Sequence, residues 1–138
     1  MSTNIDWADE TINLIFLTKN PEWYRMFQFP ANCWLGATAT HQKAWDRAIA
    51  AFDYLPRATT FISAEPLLAE IRPRFIDYID WLIIGADSTR GAKKPRREWG
   101  ASLIAAAGAA GTPVFVKKNW PFAGEWPQEF PQEVCRLV

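Results

Sequence analysis

Polar side chains gather directly behind short apolar runs at five places: Thr18-Lys19-Asn20, Thr38 with Thr40-His41, Ser63-Ala64-Glu65, Asp87-Ser88-Thr89 and Lys117-Lys118-Asn119. If the apolar runs are parallel strands, these residues line the carboxyl-end rim of the sheet, where α/β proteins bind ligands. The ligand-binding candidates are therefore Thr18, Lys19, Thr38, Glu65, Asp87, Ser88 and Lys117. Glu65 stands out, because it follows a buried run and precedes Pro66, whose ring fixes the turn. With Lys19 or Lys117 it could do acid–base work. It could equally close a structural ion pair across the rim, and the two readings look alike in sequence. Gly85-Ala86-Asp87-Ser88 reads as a tight turn that lets backbone approach a ligand. It matches neither the dinucleotide fingerprint nor a Walker A loop.

A second cluster is cationic. Arg90, Lys93, Lys94, Arg96 and Arg97 place five positive charges in eight residues. Such a run contacts phosphates or nucleic acid, or is a solvated loop, and the solvated loop is the commoner case. Trp99 beside it could stack a base, but it sits on an apolar helical stripe. His41 is the one histidine, and no Ser or Cys lies in a nucleophile-elbow pattern. Cys33 and Cys135 are 102 positions apart. An iron–sulfur cluster takes thiolates grouped in a short loop, and two cysteines with one histidine are too scattered for zinc. No metal is expected.

The elements that must position these groups follow from apolar patterning. Asn13–Thr18, Cys33–Thr38, Thr59–Ser63, Trp81–Gly85 and Pro113–Lys117 are continuously apolar at their centres. That is the pattern of parallel strands buried on both faces under helices. His41–Leu55 carries Ala44, Trp45, Ala48, Ile49, Phe52 and Leu55 on one helical stripe, with Thr40 as N-cap and Pro56 as stop. A second helix is predicted from about Arg97 to Ala110, closed by Gly111. A short helical turn follows Pro21, and Pro73 breaks any helix between Pro66 and Tyr78. The alternation predicts an α/β fold of five mainly parallel strands, either an arc of a barrel or an open doubly wound sheet. One domain spans 1–138, with an N-terminal arm over 1–12 and an irregular aromatic and proline-rich tail over 119–138.

Lys plus Arg and Asp plus Glu are both 15, so a whole-protein attraction to nucleic acid is not expected. No run approaches the ~20 apolar residues of a membrane span. The polar opening lacks a signal core, and two cysteines make no disulfide framework. A cytoplasmic protein is expected.

The run CWLGATATHQKAWDRAIAAF resembles the "WLG-V-T-V-E-N-Q" segment of phage-associated radical-SAM-like proteins, whose hallmark is an N-terminal three-cysteine motif. FISAEPLL, DWLIIGADS and AAGTPVFVKKNW continue the similarity. IFLTKNPEWY is similar to a strand ending "LTKRP", and MSTNIDWADET to the opening "I-E-W-T-D-x-T-W-N-P". The resemblance implies a TIM-type barrel of which this chain keeps the last five strands. In that family the opening leads into the cysteine loop, whereas here Thr11 passes almost directly into the run ending at Lys19. It further implies that Thr18, Lys19, Thr38, Glu65, Asp87 and Lys117 lie where the family holds S-adenosylmethionine and substrate. The family's "GGES" stands here as Gly85-Ala86-Asp87-Ser88, with a shorter acid. Without the cysteine loop, radical chemistry is not expected. The leading expectation is a truncated, non-catalytic remnant with a small-molecule or nucleotide pocket. The alternatives are an interaction module using Arg90–Arg97, and a cluster-free enzyme using Glu65 with Lys19 or Lys117. A partial barrel would expose two strand edges, to be covered by the tail or paired in a homodimer.

Overall fold

The computed structural model describes residues 13–131. The N-terminal arm over 1–12, Cys135 and the end of the tail lie outside them. Five strands form one sheet: β1 (Leu14–Thr18), β2 (Cys33–Thr38), β3 (Thr59–Ala64), β4 (Trp81–Ile84) and β5 (Val114–Val116). All four pairings are parallel and the spatial order is the sequence order. The predicted strand positions hold to within a residue or two at each end.

Sequential order decides how the connections run. Parallel crossovers are right-handed, so stepping the same way each time carries every connection to the same face. The main core shows this. Trp45, Ala48, Ile49 and Phe52 of α1 (Gln42–Phe52) and Leu103 and Ala107 of α2 (Arg97–Ala110) pack with Leu35, Ala37, Ile62, Ala64, Leu82, Ile84, Val114 and Val116 of the sheet. Tyr24, from the 3-10 turn over Pro21–Met26, and Ile76, from another over Ile76–Tyr78, join the same core. The doubly wound alternative is thereby corrected, because that topology reverses direction and places helices on both faces. The sheet is open, with the strand order of a barrel arc.

The expectation of helices over both faces is corrected as well. Strand side chains alternate between faces, and the second set here is Trp34, Phe61 and Trp81, flanked by Ile83 and Phe115. These aromatics bury one another rather than packing under a helix. At the β1 side even this cover thins, and Ile15 and Leu17 are 57% and 55% exposed. Continuous apolarity therefore recorded a helix-covered face and an aromatic face, which a one-dimensional pattern does not separate.

Two local expectations also shift. His41, not Thr40, caps α1: its Nδ1 accepts the Ala44 N–H at 3.4 Å. The helix ends at Phe52, leaving Leu55 in the following turn, where its N–H donates to the Phe52 carbonyl. Helix α2 closes as predicted, with Gly111 at φ 74° donating to Ala107 and Gly108 carbonyls. The tail is irregular but not loose. The Val116 N–H donates to Pro127 O, Glu129 N–H donates to Val114 O, and Gln128 bridges Phe115 in antiparallel fashion. It thus covers the β5 edge, as a free edge requires.

Candidate functional site

Residues paired side by side in parallel strands project to the same face. Thr38 pairs with Ser63, Ser63 with Ile83, and Ile83 with Phe115. This row lies on the aromatic face, and one step toward the carboxyl ends are Glu65, Gly85 and Lys117. A groove of about 300 Å³ opens there, lined by Phe61, Trp81 and Phe115 below and by Ser63, Glu65 and Lys117 at the rim. Ile15, Leu17, Ile83 and Phe130 complete its walls. That volume is at the lower end of ligand pockets, which run from ~300 to ~1,000 Å³ with apolar linings and few polar groups.

Glu65 is held from two sides. Lys117 Nζ donates to Oε1 at 2.8 Å and Asn119 Nδ2 donates to Oε2 at 2.7 Å. Asn119 is itself clamped by Ala86, donating to its carbonyl at 2.8 Å and accepting its N–H at 3.2 Å. Gly85 makes room for this arrangement. A Cβ there would lie 2.7 Å from Glu65 Oε2 and 2.8 Å from its carboxyl carbon. The close approach that Gly85 allows is therefore by the Glu65 side chain. The Glu65–Pro66 peptide is cis. The Lys117 and Glu65 side chains are 46% and 22% exposed, and pairs so solvated stabilise by about 0–1 kcal/mol. The pair thus fixes direction more than stability. Two of the carboxylate's roughly four acceptor positions remain for another donor.

The other candidates disperse. Lys19 is exposed and makes no ion pair among the described residues, so Lys117 is the partner of Glu65. Thr18 pairs with Ala37 and so faces the helices, its Oγ1 accepting the Asn20 N–H at 3.0 Å. Thr38 is half-buried at the row's edge. Asp87 is exposed, and its Oδ1 accepts the Thr89 N–H at 2.8 Å. Hydrogen bonds from Thr89 hold its carboxyl below the usual carboxylate range. Asp87 and the exposed Ser88 do not line the groove.

Arg90, Lys93, Lys94, Arg96 and Arg97 are all exposed. Arg96 lies over Trp99 at 5.8 Å and Arg97 over Trp126 at 5.1 Å. Trp99 is partly buried and packs against the main core. The aromatic floor, Phe61, Trp81, Phe115 and Phe130, was not singled out from sequence. Its signal was one large aromatic per strand, readable only once the strands are in register.

Among the described residues no three His, Cys, Asp or Glu are grouped to hold a metal ion. Cys33 lies in the helix-side core, 1% exposed, and burial pushes its thiol up. In a Cys135→Ser chain, a thiol reagent is expected to find no fast-reacting group until denaturant is added. Rapid native labelling would show that Cys33 is accessible.

A family model described as protein of unknown function (DUF5131) matches residues 4–134, almost the entire chain. The chain belongs to this family. Its description carries no activity. No curated protein and no solved structure matches the chain. Among the described residues no helix is long and apolar enough to cross a membrane.

Proposed function

We propose that the groove on the aromatic face binds a small organic ligand with a planar ring and a polar, hydrogen-bond-donating end. The observation that carries this reading is the convergence of Glu65, Lys117 and Ser63 with Phe61, Trp81 and Phe115 in one groove, at the carboxyl ends of parallel strands. Aromatic faces take a planar ring. The free acceptor positions of Glu65 take hydroxyl or ammonium donors, and Lys117 takes a carboxylate or phosphate.

A nucleoside of the adenosyl type has this chemistry, and the resemblance to radical-SAM-like proteins of phages makes S-adenosylmethionine the first compound to test. Its adenine would rest against Phe115 and the exposed Phe130, over the buried Trp81 and Phe61, and its ribose or amino group would meet Glu65. Bound elsewhere, that cofactor supplies methyl transfer or radical initiation. Here the role proposed is binding. Glu65 and Lys117 also keep open an acid–base use of the same groove, without Lys19.

Calorimetric titration of the full chain with S-adenosylmethionine, without iron, tests the reading. Saturable binding is expected, weakened at least about tenfold by Glu65→Ala and unchanged by Asp87→Ala, whose side chain lies off the groove. Absence of binding, or equal loss in both variants, would reject the adenosyl reading.

A further inference from the structure

Between β3 and β4 the chain holds one backbone conformation that a phenylalanine rarely adopts. Phe75 has φ 58° and ψ 34° and is the single non-glycine residue with positive φ among the described residues. A Cβ is disfavoured in this left-handed region, most of all under a bulky ring. The segment is clamped into place. Gln42 Oε1 accepts the Arg72 N–H at 2.7 Å, Gln42 Nε2 donates to Arg72 O at 3.0 Å, and the buried Trp45 donates to Arg74 O at 3.0 Å. The result is that Phe75 and Tyr78 stand 57% and 52% exposed, with ring centroids 5.3 Å apart and planes at 38°. Glycine would take this conformation without backbone cost and without exposing apolar surface. An outlier of this kind points to function.

The surroundings indicate what the rings meet. They share a groove of about 430 Å³ with Asp46, Ile49, Ala50, Asp53 and Arg74. Asp46 and Asp53 are two turns apart on and just beyond α1, and so lie on one side of it. Neither forms an ion pair among the described residues, and Asp46 only accepts from Gln42 at 3.0 Å. Arg74 lines the same groove without pairing either acid. Exposed ring faces beside unpaired carboxylates are complementary to a planar cation.

We propose that this groove docks an arginine side chain of a partner protein, with the guanidinium on the Phe75 and Tyr78 rings and its N–H groups donating to Asp53 and Asp46. Arginine fits better than lysine because the planar fork both stacks on rings and pairs carboxylates. The site lies on the helix side of the sheet and is independent of the small-molecule groove.

The test is titration of the full chain with acetylated tri-arginine amide, read from the Phe75 and Tyr78 ring protons by NMR. Tri-citrulline amide, which keeps the shape and loses the charge, is the control. Saturable shifts are expected with arginine and not with citrulline. Phe75→Gly and Asp53→Asn are each expected to weaken binding about tenfold or more, with the thermal midpoint of Phe75→Gly unchanged or higher. Absence of saturation, equal response to citrulline, unaffected binding in both variants, or a lowered midpoint in Phe75→Gly would overturn the proposal. So would a dimer in sedimentation that Phe75→Gly dissolves, since that assigns the face to a second copy.

Discussion

Trp81→Ala is expected to lower the stability of the fold by about 3–5 kcal/mol, the range for removing a large buried aromatic. Trp81 is the hub of the second face. Its ring meets Trp34 at 5.8 Å, Phe61 at 5.6 Å, Phe115 at 6.3 Å and Phe130 at 5.6 Å. Among the described residues no helix packs behind these rings to collapse into the vacancy, so the cavity would fill with water or draw the face apart. The indole also donates to Glu129 O at 2.8 Å, which ties the tail to the sheet. Truncation therefore loosens the cover of the β5 edge too. Trp81→Phe keeps most of the ring and loses that bond, and should cost only about 1–2 kcal/mol. Urea unfolding of the two variants checks the order. A loss below about 1 kcal/mol in Trp81→Ala would show that the aromatic face contributes little to folding.

Gly36→Ala is the second large effect, expected at about 1–3 kcal/mol. A Cβ at Gly36 would lie 2.1 to 2.4 Å from three atoms of the Phe61 ring. Something must shift. Phe61 is buried against Trp81 and cannot swing freely. The strand cannot retreat either, because the buried Tyr24 hydroxyl donates to Gly36 O at 2.7 Å. Burial pushes that hydroxyl up to about 12, so it stays protonated and donating across the working pH range. At this size a thermal midpoint falls by roughly 2–8 °C per kcal/mol, well within reach of a melting experiment. Ligand binding in the groove should weaken in parallel, since Phe61 lines it. An unchanged midpoint would mean that Phe61 relocates easily and is not a fixed part of the groove floor.

The order of strands and helices in this fold was legible along the chain, and for local reasons. Runs such as TTFIS and WLIIG are too short and too apolar for exposed helices, and Gly111 stops α2 because only glycine enters its conformation cheaply. The carboxyl-end rim also followed from strand direction, which is how Glu65 and Lys117 were legible as candidates. Their pairing was not, because a separation of 52 positions hides a 2.8 Å contact, and Lys19 had an equal claim.

Tertiary structure decided what depends on two strands at once. Winding on one face came from strand order, which no single segment carries. The aromatic face came from register, which aligns Gly36, Phe61 and Trp81 across three strands. Asn119 was one rim residue among many until the chain folded back and set its amide between Ala86 and Glu65. The exposed, left-handed Phe75 had no signal in sequence, because its conformation is imposed by Gln42 and Trp45 from another element. Periodicity reports the surroundings of a residue averaged along its own strand or helix. Sites are made where separate elements converge, and that convergence is fixed by packing.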